Sequence, residues 1–146
     1  MTKRKARKNI FKFLIMLLIM VISATCFLTT TFAESFYQGG DVITGATFSG
    51  EVFSTENNNR LTISARADTK AGTPTGVYVV VQKYGFFGWT TITSATVPMD
   101  QAKTINVCRD LVVPTNTSIR ILCTVNGSGA NVATIHMGVG TWQAVS

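Results

Sequence analysis

Beyond residue 60, apolar and polar positions alternate through most of this 146-residue chain. Leu61, Ile63, Ala65 and Ala67 are interleaved with Thr62, Ser64, Arg66 and Asp68. Trp89, Thr91, Thr93, Ala95 and Val97 fall on one face of a second run. Ile119, Ile121, Cys123 and Val125 mark a third, and Ala133, Ile135, Met137 and Val139 a fourth. A period of two in Val, Ile and Thr is the signature of half-buried strands. Gly76 to Tyr84 is apolar on both faces at its centre and suits a central strand. Turn-forming stretches at 57–59, 70–76, 114–116 and 126–129 separate these runs. No segment after residue 33 carries a helical stripe. The pattern predicts an all-β domain of about seven or eight strands, an antiparallel immunoglobulin-like β-sandwich, with a small closed β-barrel as the alternative.

The first 33 residues follow a different rule. Lys3, Arg4, Lys5, Arg7, Lys8 and Lys12 form a basic head, and residues 13–28 are uncharged and largely apolar. Thr31 and Ala33 place small side chains three and one residues before Glu34. This is the tripartite order of a cleavable export signal, a helix in transit with cleavage after Ala33. The alternative is an uncleaved membrane anchor over 13–32, at the lower edge of a spanning length. A lipoprotein reading is weaker, because Thr25 is a poor residue to precede a lipidated Cys26. The expected organisation is therefore a signal at 1–33, a flexible leader at 34–41 and one β domain at 42–146. The expected destination is the extracellular space.

Setting the signal aside changes the chemistry that the composition suggests. The whole chain has 13 Lys and Arg against 7 Asp and Glu. The basic head accounts for the entire excess, so the remainder is neutral. A nucleic-acid partner, which needs a basic footprint on the folded domain, is not expected. Cys108 and Cys123 are left as an even pair, which in an exported protein reads as a disulfide.

No catalytic constellation emerges. His136 is the single histidine, and no Gly-x-Ser-x-Gly elbow or equivalent accompanies it. Asp41, Glu51, Glu56, Asp68, Asp100 and Asp110 lie mostly in or beside turns, as solvated acids do. Neither a metal site nor a cofactor is expected. Two glycosylation sequons, at Asn116 and Asn126, would matter only in a eukaryotic source.

One segment breaks the rule that hairpin tips are polar. Tyr84-Gly-Phe-Phe-Gly-Trp89 joins two strands, so Phe86 and Phe87 should occupy the turn between them. Exposed there, with Tyr84 beside them, they would make an aromatic finger for a protein, a glycan or a membrane surface. Folded back, they would cap the end of the core over a buried Trp89. Trp142 would lock down the last strand.

From Val77 to Trp89 and on through Ile119 to Thr124, a long β-branched strand, a Gly-x-x-Gly-Trp turn and a threonine-rich return follow one another. Over about residues 60–142 this rhythm resembles small exported β-sandwich proteins of Gram-positive bacteria with no assigned activity. The Phe86–Phe87 tip and the cysteine pair depart from that pattern. The resulting expectation is a secreted, non-enzymatic binding protein contacting its partner through Tyr84, Phe86 and Phe87. A membrane-active, bacteriocin-like protein is the alternative, and an extracellular hydrolase the third reading.

Overall fold

A computed structural model describes residues 34–100 and 103–144. The export signal, its cleavage point after Ala33 and Cys26 lie outside the described residues. Those described form nine strands and no helix: β1 (Glu34–Ile43), β2 (Phe48–Ser49), β3 (Phe53–Ser54), β4 (Arg60–Ala71), β5 (Gly76–Gly85), β6 (Gly88–Pro98), β7 (Ile105–Val112), β8 (Ser118–Asn126) and β9 (Val132–Trp142). They build two antiparallel sheets, ordered β1-β9-β4-β7 and β2-β8-β5-β6, with β3 also paired to β8. The sandwich is as the alternation predicts, and no barrel closes. With β2 and β3 counted as one interrupted strand, the order is that of a double-Greek-key jelly roll. That wiring refines the immunoglobulin-like expectation.

The core lies between the sheets. Leu61 and Ile63 from β4 and Ile135 and Met137 from β9 face Val77, Val79 and Val81 from β5 and Ile119 and Ile121 from β8; all are buried. The core and the hydrogen-bonded ladders lie within one compact unit, so this domain has what it needs to fold by itself.

Three expectations change. Residues 34–41 are not a leader: they belong to β1, which pairs with β9 over ten residues from Glu34↔Thr141 to Ile43↔Val132. The inward positions of β1 are Phe36, Gln38, Gly40 and Val42, so an amide and a glycine hide the period. Each has a specific neighbour. Gln38 Nε2 donates to the Glu51 carbonyl at 3.0 Å. The Phe48 ring fills the space beside Gly40, where an added Cβ would stand 2.5 Å from it.

The second change concerns Cys108 and Cys123. They are free, buried thiols and not a disulfide. β7 pairs with β4 and β8 with β5, so the two cysteines belong to opposite sheets, where each sulfur has its own neighbour. Cys108 Sγ lies 3.8 Å from the Leu61 carbonyl, and Cys123 Sγ lies 4.0 Å from Met137 Sδ. Burial pushes both thiols up, that of Cys123 to about 12, which keeps them protonated and unreactive.

The third change is Trp89. Val77, Val79 and Val81 face Val97, Ala95 and Thr93 across the β5–β6 ladder, but Gln82 then pairs with Thr91. Ile92 is an extra residue, a β-bulge packed against the core. The bulge reverses the phase of the strand. Trp89 and Thr91 therefore lie on the face opposite to Thr93, Ala95 and Val97, and Trp89 leaves the core.

Candidate functional site

The β5–β6 hairpin carries the candidate site. β8 begins at Ser118 and its pairing with β5 stops at Lys83↔Ile119. Tyr84 and Gly85 pair only with Trp89 and Gly88, so the hairpin projects beyond its neighbour. Its turn is Phe86-Phe87. Gly88 adopts a left-handed φ of 95° while neither phenylalanine has a positive φ. A glycine in that position after a two-residue turn is the arrangement of a G1-bulged hairpin, which accepts ordinary residues in the turn. This is how two phenylalanines occupy a place that usually requires Asn or Gly.

Phe86 and Phe87 are each 97% exposed. Their rings touch only in an edge-to-face pair, 5.1 Å between centroids. The structure thus places both outside the core, and the end-cap arrangement does not occur. Tyr84 is 56% exposed and meets Trp89 edge-to-face at 5.2 Å. Arg120 from β8 lays its guanidinium over the Trp89 ring, 4.3 Å from the centroid. Its Nε donates to Gln82 Oε1 at 2.9 Å, and Gln82 Nε2 donates to Thr91 Oγ1 at 3.2 Å. The neck of the hairpin is thereby braced on one face, while the tip has no such support. Sequence reasoning identified Tyr84, Phe86 and Phe87; it missed Arg120, which is 31 positions from Trp89 and is brought there only by the β5–β8 ladder.

Other polar groups gather elsewhere. On the outer face of the first sheet, His136 Nε2 meets Asp68 Oδ2 at 3.2 Å, with Arg66 at 4.0 Å from the same oxygen. Ser64 shares that face but its hydroxyl bonds to the Gly138 carbonyl at 3.5 Å. Among the described residues no hydroxyl is hydrogen-bonded to His136. Nearby, Asp41 accepts from Lys70 and from Thr134 Oγ1. Those two hydrogen bonds, Lys70 foremost, hold its carboxyl below the usual range. Among the described residues, no three of His, Cys, Asp and Glu come together as metal ligands.

An open cleft of about 680 Å³ lies between β1 and the β2–β3 segment, where Phe36, Phe48 and Phe53 contribute rings and Glu34, Glu51 and Glu56 carboxylates. Phe36 and Phe53 pack edge-to-face at 4.9 Å. With 34–41 expected to be a leader, this cleft has no counterpart in the sequence; Phe36 and Val42 alone mark the inward face of β1, since Gln38 and Gly40 interrupt the apolar period.

No family model matches the chain, and no curated protein does. Among solved structures it is similar in fold to the Yersinia pseudotuberculosis-derived mitogen, with a TM-score of 0.47 and 9% identity over 77% of this chain and 88% of that one. It is also similar to FLHE, with a TM-score of 0.46 and 14% identity over 77% and 98% of the two chains. TmCBM61, solved in complex with β-1,4-galactotriose, gives a TM-score of 0.41 and 11% identity over 76% and 88%.

Proposed function

We propose that residues 1–33 export the chain and that the remaining domain is a non-enzymatic binding protein of the cell surface or medium. Its contact is the hairpin tip, with Phe86 and Phe87 as anchors and Tyr84 beside them. The observation that carries this reading is the near-complete exposure of two adjacent phenylalanines on a turn whose backbone does not require them. Fully burying an aromatic side chain of this size is worth about 1.5–3 kcal/mol, and the folded domain forgoes that gain twice. A partner would recover it. Sequestration of both free thiols and neutrality after loss of the basic head suit a chain working outside the cell.

The test is retention of the purified 34–146 domain on cells of the producing organism. The wild type should pellet with cells, and the Phe86→Ser/Phe87→Ser double variant should stay in the supernatant. Equal retention of both would overturn the role of the tip. Mass spectrometry of the culture medium should find a chain beginning at Glu34; recovery of the full chain in the membrane fraction alone would overturn export with cleavage.

A further inference from the structure

Resting on that reading of the tip, we infer that its partner is a lipid surface bearing anionic headgroups, into whose interface the β5–β6 hairpin inserts.

The order of side chains along the hairpin follows the polarity of a membrane interface. At the apex stand Phe86 and Phe87, both 97% exposed and purely hydrocarbon. Beyond one glycine on each strand come Tyr84 and Trp89, packed edge-to-face on each other. These are the two side chains with an apolar body and a polar handle, the types that settle at headgroup level. Behind them stand the cations. Arg120 lies on the Trp89 ring, on the face shared by Gln82 and Tyr84. Lys83, paired with buried Ile119, belongs to the opposite face of the hairpin. Apolar tip, amphipathic collar and a cation on each face reproduce, in order, the polarity profile of a bilayer from acyl chains to phosphates.

Charge supports the same occupant. β5, β6 and β8 contain no Asp or Glu, and their whole charge is Lys83 and Arg120, both at the tip end. The carboxylates nearest in that sheet, Glu51 and Glu56, come from the β2–β3 segment on the far side of β8, and Asp110, on β7 of the other sheet, is preceded by Arg109. An anionic surface approached along β5–β6 therefore meets attraction first. A protein partner would have to supply a groove shaped to two side-by-side rings; a fluid interface accommodates them without one. Sugar stacking is less well matched, because the two rings stand at 87° to each other and present no common platform.

The experiment is co-sedimentation of the 34–146 domain with large vesicles of phosphatidylcholine and phosphatidylglycerol, 70:30, at low salt. Wild type should bind. Phe86→Ser/Phe87→Ser should bind about a hundredfold more weakly or worse, with an unchanged melting temperature. Phe86→Leu/Phe87→Leu should retain most binding, because insertion needs hydrocarbon and stacking on a sugar needs a ring. Lys83→Gln should weaken binding about fivefold on these vesicles and leave pure phosphatidylcholine unaffected.

Binding by the Ser double variant equal to wild type would overturn the inference, as would loss of binding in the Leu variant. Wild type that ignores vesicles yet is retained on cells through the same two phenylalanines would overturn the lipid partner and leave the binding tip standing. Protease treatment of those cells that abolishes retention would then assign a protein. Failure of both assays would remove the tip reading itself.

Discussion

Where β5 begins, Asn131 ties three loops together; where β5 ends, a two-residue turn projects with nothing packed on it. Asn131 is 1% exposed. Its Oδ1 accepts from the Thr73 amide at 2.8 Å, and its Nδ2 donates to the Ser128 and Gly129 carbonyls at 3.2 and 3.3 Å. Its own amide donates to Thr44 Oγ1 at 2.9 Å. Gly72, at a φ of 75°, leaves the room this needs: an added Cβ would stand 2.5 Å from Asn131 Oδ1. The polar groups of that network serve the fold. At the other end the side chains beyond Trp89 serve nothing within the molecule. The contrast separates residues kept for stability from residues available for contact.

The two ends should differ most at Asn131. Asn131→Ala strips a buried amide from three backbone partners and should cost about 2–4 kcal/mol, read from the denaturant midpoint. A loss below 1 kcal/mol would mean that water replaces the network and that the two ends are alike. Gly88→Ala comes next. Its Cβ would touch nothing within 4 Å, so the cost is conformational. Holding alanine at a φ of 95° should cost about 1–2 kcal/mol. Gly85→Ala is the control: its φ is not positive and its Cβ would find only the Gly88 carbonyl, at 3.9 Å, so stability should barely move. Smallest of all, Phe86→Ser/Phe87→Ser should change stability by less than about 0.5 kcal/mol. A drop of several kcal/mol would mean that the tip caps the core after all.

The interior between the two ends supplies a separate check through pH. The thiol pKa values of Cys108 and Cys123 are higher in the folded chain than the usual 9.0. The folded state therefore holds those protons more tightly than the unfolded one. Their contribution should be fully present below pH 9 and lost progressively as pH rises toward 12. Cys123→Ala should flatten the alkaline limb of the stability profile; an unchanged limb would contradict the burial of that thiol. Alkylation by iodoacetamide at pH 8 should likewise be slow until the protein is denatured.

How much of this could be read beforehand depends on how each strand spends its inward positions. β4, β8 and β9 present unbroken apolar alternation and were plain. β1 was not, because Gln38 and Gly40 stand where a hydrocarbon is expected, and what suits them there, the Glu51 carbonyl and the Phe48 ring, shows only in the folded chain. The hairpin tip was legible because Gly85 and Gly88 frame it, and its exposure followed only once the turn geometry was known. The reversal at Ile92 was invisible, since one extra residue leaves the alternation of Trp89, Thr91 and Thr93 looking uninterrupted. Cys108 and Cys123 illustrate the same limit at the level of topology: spacing along the chain does not say which sheet a strand joins.

The pairing of β1 with β9 has a consequence in time. β9 sits between β1 and β4 and supplies the centre of the first sheet, yet it is the last strand in chain order. As the polypeptide emerges from a ribosome or a translocation channel, the earliest strand must wait for the latest before it has a neighbour. Until then β4 can find only β7, and the first sheet is a two-stranded ribbon of marginal stability. Such wiring delays closure of the first sheet until β9 has emerged, because its central pairings join strands far apart in sequence. Under the export proposed above, that order of strands would leave an interval for threading before the first sheet can close.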